Sequence, residues 1–214
     1  MSDARKRVDA LLAGVDEYYS AKVVEHGSSH RGADWNSKES QELRFDRLLE
    51  IVDAPEVPFS LNDYGCGYGA LLDYLETRFA EVRYRGFDLS EAMLAAAQAA
   101  HPNVEPRNFV HDVALLAPAD YTLASGVFNV RLETPVPVWQ RYVLETLEHI
   151  AALSTRGFSF NMLTAHSDAD RMRADLYYAD PLFFFEHCRQ RFSRRVALLH
   201  DYPLYEFTIL VRLA

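Results

Sequence analysis

Apolar residues recur at helical spacing from residue 3 to about 25, where Val8, Leu11, Leu12, Val15, Tyr18 and Tyr19 predict a first helix. The stretch His26-Gly27-Ser28-Ser29-His30-Arg31-Gly32 breaks it. A second helix opens after Trp35-Asn36, with Ser37 as its N-cap and Leu43, Phe45, Leu48, Leu49 and Val52 as its apolar face. Pro55 and Pro58 end that helix. An extended run, Phe59-Ser60-Leu61-Asn62, then leads through Asp63 and Tyr64 into three alternating glycines, Gly65, Gly67 and Gly69. Helical spacing resumes at once with Leu71, Leu72, Leu75 and Phe79, so the pattern is strand, tight turn, helix.

The alternation repeats downstream. Val82 to Leu89 reads as a second strand, and Ser90 caps a helix through Met93, Leu94 and Ala97 that stops near His101-Pro102. A third strand is expected from Pro106 to Val110, a fourth from Tyr121 to Ser125 and a fifth from Phe158 to Leu163. Between the last two, Val136 to Leu153 reads as a helix with Trp139, Tyr142, Val143, Leu147 and Ile150 inward. Residues 168 to about 191 look helical in outline, interrupted at Asp180-Pro181, where Asp180 caps a second helix. Arg195 to Leu199 and Tyr205 to Leu213 are two closing strands. The connection between them is too short for a parallel crossover, so they form an antiparallel hairpin. The fold class is therefore α/β: a mostly parallel sheet with helices on both faces, a reversed C-terminal hairpin and a helical N-terminal extension. Residues 1–55 read as a helical cap and 56–214 as the sheet domain, together one structural unit at 214 residues.

Composition narrows the class of partner. The chain carries 22 basic and 31 acidic residues, a net charge of −9, and its one basic run is Arg5-Lys6-Arg7. A nucleic-acid binder ordinarily shows a basic footprint, so nucleic acid is not expected as a partner. No stretch approaches the roughly 18 apolar residues of a membrane span, and Met1 to Val8 is charged with no apolar run after it. A cytoplasmic location without membrane partner is the expectation. The two cysteines, Cys66 in the glycine turn and Cys188 in a late helix, make neither a disulfide framework nor a metal-ligand spacing. His26 and His30 stand four apart, which suits a metal only on a continuous helix. Gly27 and the serines oppose such a helix, so no metal site is expected.

The chemistry concentrates at strand ends. Glycine admits positive φ and a close ligand approach, and the free N–H groups at a helix start favour a polar or anionic group. Asp88 closes the second strand nineteen residues past Gly69, at the place where a carboxylate accepts two hydrogen bonds from a ribose diol. Asp112 stands beyond the third strand, on the same carboxyl edge where ligands bind in open α/β sheets.

Taken together, these residues resemble the class I S-adenosylmethionine-dependent methyltransferases over most of the chain, from about Leu61 to Leu213. Asp63-Tyr64-Gly65-Cys66-Gly67-Tyr68-Gly69 is similar to that family's acid-x-Gly-x-Gly-x-Gly signature. Gly86-Phe87-Asp88-Leu89-Ser90-Glu91-Ala92-Met93 resembles its second motif, His111-Asp112-Val113 occupies the place of its adenine-proximal acid, and Ala124-Ser125-Gly126-Val127-Phe128 matches its fourth strand. The resemblance implies a Rossmann-like seven-stranded sheet ordered 3-2-1-4-5-7-6 and S-adenosyl-L-methionine as cofactor, with S-adenosyl-L-homocysteine as product. It also implies cofactor contacts from Asp63, Tyr64, Gly65, Cys66, Gly67 and Gly69, from Asp88, Leu89 and Met93, from Asp112 and Val113, and from Ser125, Gly126 and Val127. Trp35, Asn36 and Arg44 are expected to close over the cofactor, Arg44 by pairing with its carboxylate.

Methyl transfer from a sulfonium is an in-line displacement in which the protein chiefly aligns the reactants, and a base is needed only when the nucleophile arrives protonated. The candidates for that role are His26 and His30 before the second helix, Asn129 after strand four and His166 after strand five. Asn129 lacks the following Pro-Pro-aromatic pattern that an adenine-amine or glutamine methyltransferase of the family would require. The expected reaction is thus methyl transfer to an oxygen or nitrogen of a small molecule, with residues 1–55 and 164–192 building the acceptor pocket. Two alternatives stand beside it: a nicotinamide- or nucleotide-sugar-binding oxidoreductase, and a non-catalytic module that binds S-adenosylmethionine.

Overall fold

The computed structural model of the chain describes residues 3–105 and 108–213. Helix α1 (Asp3–His26) and helix α2 (Lys38–Leu49) precede the sheet. Strand β1 (Phe59–Tyr64) passes through the glycine turn into α3 (Ala70–Arg78), and β2 (Val82–Phe87) leads into α4 (Glu91–Ala100). After β3 (Phe109–Val110) a 3-10 turn at Val113–Leu115 leads directly to β4 (Ala119–Ala124), which is followed by α5 (Val136–Ala152) and β5 (Ser154–Thr164). A two-residue strand β6 (Tyr178–Ala179), helix α6 (Pro181–Arg191) and the hairpin β7 (Arg195–Leu199) and β8 (Glu206–Arg212) complete the chain.

The sheet runs β3-β2-β1-β4-β5-β8-β7, with β6 beside the end of β5. The β3-β2-β1-β4-β5 pairs are parallel, whereas β8 lies antiparallel to both β5 and β7. Leaving out β6, this is the Rossmann-like order 3-2-1-4-5-7-6; β6 makes the sheet eight-stranded rather than seven. Side-chain alternation with period two sends Leu61, Tyr121, Leu123 and Leu210 to a core shared with α2 and α3. It sends Phe158, Phe160, Ile209 and Val211 to a second core shared with α1, α5 and α6. Helices therefore cover both faces.

Local chemistry sets the helix starts. The Ser37 hydroxyl accepts from the Ser40 N–H while Ser40 reaches back, a capping box, and Ser90 accepts from the Met93 N–H. Asp180 accepts from the N–H groups of Leu182 and Phe183, with Pro181 in the first turn.

Three boundaries differ from the sequence reading. The span from 168 to 180 is not helical: it holds a 3-10 turn at Ala169–Arg171 and then β6, because Ala165 N–H donates to Ala179 and Tyr177 N–H donates to Asn129 across the loop. Its backbone groups are spent on these pairings, and a true helix starts only at Pro181. Strand β3 is confined to Phe109–Val110, with Pro106 outside the described residues. Strand β2 ends at Phe87, because the carbonyl of Phe87 turns to accept from both Gly65 and Cys66 N–H groups, at 2.7 and 2.9 Å.

Candidate active site

A cavity of about 290 Å³ opens over the carboxyl ends of β1, β2 and β4. Its floor is the glycine turn. Gly65 has φ +85° and would drive a Cβ to 2.5 Å from Val127 Cγ2, so no other residue fits there without displacing strand four's extension. At Gly67 a Cβ would meet nothing closer than Met93 Sδ at 3.9 Å. That glycine faces open space, where its backbone N–H is held by Asp88 Oδ2 at 2.8 Å.

Asp88 is an organising group as well as a wall. Its Oδ1 accepts from Ser90 N–H at 2.9 Å, so one carboxylate ties the glycine turn to the start of α4. Each of its oxygens still has a free lone pair for a ligand hydroxyl. Burial raises the Asp88 pKa to about 6, against the favourable backbone N–H groups of Ser90 and Gly67. Asp63 is buried more completely. Burial pushes its pKa up to about 7, although the Tyr84 hydroxyl donates to its Oδ2 at 2.8 Å. Cys66 is buried beside both acids, and desolvation pushes its thiol well up, so the sulfur stays neutral.

Among the described residues no lysine or arginine lines the cavity, while Asp16, Asp63, Asp88 and Glu145 do. The arrangement is deficient in positive charge. It suits a ligand carrying cationic and hydroxyl groups, and a diphosphate would add negative charge against buried carboxylates. At the end of β4 the Ser125 hydroxyl is buried without a protein partner, an acceptor or donor kept free beside the cavity. Cationic amine, diol and polar terminus are the groups of S-adenosylmethionine, and the residues present fit it.

The cover comes from elsewhere in the chain. Trp35 stands directly over Gly126, where a Cβ would fall 2.3 Å from Trp35 Cη2. The Arg44 guanidinium lies 4.0 Å over the Trp35 ring. Arg44 is not free to meet a ligand carboxylate: its Nε donates to both oxygens of buried Glu206 at 2.9 Å and its Nη1 to the Ser40 carbonyl at 2.7 Å. Glu206 also accepts from Asn161 Nδ2 at 2.5 Å, and Asn161 Oδ1 accepts from Gly126 N–H at 2.8 Å. Arg44 thus acts on the cavity through Trp35 and the Gly126 backbone.

The expected cofactor residues gather closely. Asp63, Tyr64, Gly65, Cys66 and Gly67 line the cavity, as do Asp88, Leu89, Met93 and Val113, and Ser125, Gly126, Val127 and Trp35. Three do not. Gly69 instead caps α3 at φ +87° and packs against His101, whose Nε2 lies 2.8 Å from the position of an added Cβ. Asp112 is exposed and accepts from the Ala114 N–H at 2.9 Å, capping the 3-10 turn, so Val113 takes the cavity position. Arg44 is held by Glu206.

The four candidate bases are not brought together, and none lines the cavity. His26 ends α1 beside Glu25 at 3.7 Å, and His30 sits in the turn before Trp35. Asn129 is buried in the scaffold, its Oδ1 accepting from the Leu163 N–H at 3.2 Å. His166 is exposed, its ring 6.0 Å from that of His200. Residues 164–192, expected on the acceptor side, contribute nothing to the lining; α5 takes that place.

Sequence reading missed two helical stripes in the lining. Leu12, Val15, Asp16 and Tyr19 come from α1, and Tyr142, Glu145, Thr146 and His149 from α5. Both have the i, i+3, i+4, i+7 spacing of one helix face. The available signal was polar: Asp16 interrupts the apolar stripe of α1, and Glu145, Thr146 and His149 give α5 a polar one. Only the 3-10 turn at Val113–Leu115 separates β3 from β4.

Residues 63–157 match a profile of the methyltransferase domain. A Mycobacterium tuberculosis protein named "Putative methyltransferase Rv1506c" is 51% identical over 166 residues, spanning 78% of this chain and 99% of that one. Among solved structures, the Burkholderia thailandensis 1,6-didemethyltoxoflavin-N1-methyltransferase superposes with a TM-score of 0.64 at 17% identity, covering 100% of this chain and 92% of that one. The magnesium protoporphyrin IX methyltransferase of Synechocystis PCC 6803 does so with a TM-score of 0.62 at 17% identity, covering 95% and 97%. Sheet order, glycine turn, strand-end acids and the close relative agree, and the chain belongs to the class I S-adenosylmethionine-dependent methyltransferases.

Proposed function

We propose that this methyltransferase moves a methyl group onto an oxygen or nitrogen of a small-molecule acceptor. The observation that carries the reading is the enclosure of the cavity: α1 and Trp35 roof the carboxyl ends of β1, β2 and β4, over a volume of about 290 Å³. The cofactor occupies this cavity and the acceptor must reach its methyl group under the same roof, which suits a compact molecule better than a polymer strand. The net charge of −9 also argues against nucleic acid. Two structural neighbours are named for small acceptors, a magnesium protoporphyrin and a didemethyltoxoflavin.

Roles follow from chemistry. Asp63 takes a cationic amino group, the Gly65 and Gly67 backbone lies against the ligand, and Asp88 accepts from the ribose diol. Leu89, Met93 and Val113 form the apolar slot for the base, and Ser125 with Gly126 faces the amino-acid end. Residues 1–55 serve as the helical cap over the sheet domain, with Trp35 as its inner surface. When bound, S-adenosylmethionine supplies a methyl group that is already activated. The protein's share is to bind, orient and exclude water. Alignment of this kind contributes about 7–11 kcal/mol in well-ordered systems.

Calorimetric titration with S-adenosylhomocysteine and with NADH is the direct test. Binding of the first and not the second is expected, and the reverse would overturn the cofactor assignment. A mass-spectrometric screen then offers small phenols and amines beside an oligonucleotide and a peptide. Methyl gain on the polymers alone would sink the small-acceptor reading.

A further inference from the structure

Among the described side chains of helix α1, one charged residue, Asp16, stands on the stripe laid over the cavity, between Leu12, Val15 and Tyr19. Hydrogen bonds fix how Asp16 is held. Met93 N–H donates to Ser90 Oγ at 3.1 Å, Ser90 Oγ and Ser20 Oγ are 2.7 Å apart, and Ser20 Oγ donates to Asp16 Oδ1 at 2.9 Å. A hydroxyl has one proton, and that of Ser20 is spent on Asp16, so the Ser90 hydroxyl must donate to Ser20. The relay runs one way, from α4 to α1, and ends on a carboxylate whose Oδ2 receives no hydrogen bond from the described residues.

Asp88 belongs to the same assembly, since its Oδ1 accepts from Ser90 N–H. Asp16 and Asp88 repel one another, which adds to the rise in the Asp88 pKa, and no lysine or arginine among the described lining residues offsets them. Two carboxylates aimed at one cavity without a cation are tolerable when hydroxyl donors come between them. A vicinal diol brings two such donors side by side.

We propose that Asp16 is a second ribose-binding carboxylate, facing Asp88, so that the diol bridges the cap helix α1 to the sheet domain at α4. The inference rests on the proposed cofactor placement and extends it to a residue outside every motif that suggested it. Cofactor binding then fastens the cap, and the Ser20–Ser90 pair aligns the two carboxylates beforehand.

Dissociation constants for S-adenosylhomocysteine and methylthioadenosine, measured by calorimetry on wild type, Asp16→Asn, Asp16→Ala and Ser20→Ala, test this. Methylthioadenosine keeps the ribose and lacks the amino acid. Asp16→Asn is expected to weaken both ligands by a similar factor, about fivefold to tenfold, the loss of one charge-assisted hydrogen bond in part replaced by the amide. Ser20→Ala is expected to cost about twofold to threefold, since it loosens Asp16 without removing it. Hydrogen exchange gives a separate readout: either ligand should protect the amides of residues 12–20 in wild type and fail to do so in Asp16→Asn. Both ligands within twofold of wild type in Asp16→Asn would overturn the proposal. Weakening of S-adenosylhomocysteine alone would move the contact to the amino-acid end and overturn the ribose assignment. If wild type itself bound neither ligand, the cofactor placement would fail first and the role of Asp16 with it.

Discussion

The floor and the roof of the cavity are built on different principles. The floor is backbone and short side chains from two compact stretches, 63–67 and 88–93, in which Asp88 fastens a glycine turn to a helix start. The roof is side chains drawn from residues 12–35 and 139–149, and its position depends on long-range contacts. Trp35 rests on Arg44, Arg44 on Glu206, Glu206 on Asn161 and Asn161 on the Gly126 backbone. The difference teaches how each part is secured: local hydrogen bonds fix the floor, whereas the position of the roof depends on a few pairs between residues far apart in the chain.

The strongest way to break that division is to cut the roof's support. Glu206→Gln leaves the Arg44 guanidinium buried without its counter-charge, which costs about 3–5 kcal/mol of folding stability. Urea denaturation should show a loss of that size, and Arg44→Met with Glu206→Leu together should recover most of it. Loss under about 0.5 kcal/mol would mean that the pair does not fix the roof.

Next in size is the floor. Asp88→Ala removes the ligand's acceptor and the anchor of Gly67 and Ser90 together. Charge-assisted hydrogen bonds contribute about 1.5–3 kcal/mol each, so S-adenosylhomocysteine should bind at least tenfold more weakly. An unchanged dissociation constant would remove the ribose assignment.

Acidity sharpens the contrast further, because the titrating groups belong to the floor. The carboxyls of Asp63 and Asp88 sit at about 7 and about 6, above the ordinary carboxylate value, through burial, with added repulsion from Asp88 at Asp63 and from Asp16 at Asp88. Asp63 faces Tyr84 and Asp88; Asp88 faces Asp16 and His111. The folded protein therefore holds more protons than the unfolded chain between about pH 4 and 7, and ligand-free stability falls as pH rises through that window. A ligand ammonium at Asp63 favours the ionised form and opposes this loss. The rise in Tm produced by S-adenosylhomocysteine should accordingly be larger at pH 8 than at pH 5.5, read by scanning calorimetry. An equal or smaller rise at pH 8 would place the ammonium away from Asp63.

The floor was legible in the sequence because its requirements are local. Gly65 and Gly67 need positive φ, Ser90 must cap, and Asp88 must stand one strand later, and each is readable within a few residues. The reversed C-terminal hairpin was legible for the same reason, from a connection too short to cross over, whereas the strand order was implied by the family resemblance. The roof was not. Arg44 looks like a ligand's partner until Glu206, more than a hundred and fifty positions away, takes its guanidinium. Asp112 reads as a binding acid, but a turn immediately after it uses the carboxylate as a cap. The 168–180 segment looks helical in outline, but its backbone pairs with the end of β5 and with the loop after β4. In each case a polar group found a nearer or deeper partner than the ligand.

The smallest expected effect tests the same principle from its other side. Histidine near neutral pKa made His26 and His166 attractive as bases, yet His26 sits by Glu25 at the end of α1 and His166 is exposed beside His200. Neither side chain borders the cavity. Substitution at surface positions away from caps, ion pairs in the interior and special backbone is usually worth less than about 0.5 kcal/mol. His166→Ala and His26→Ala should therefore change S-adenosylhomocysteine affinity by less than about twofold, and stability by no more than that 0.5 kcal/mol. A tenfold loss of affinity in His26→Ala would mean that the end of α1 folds inward when ligand binds, and the roof would then reach further along the chain than Trp35.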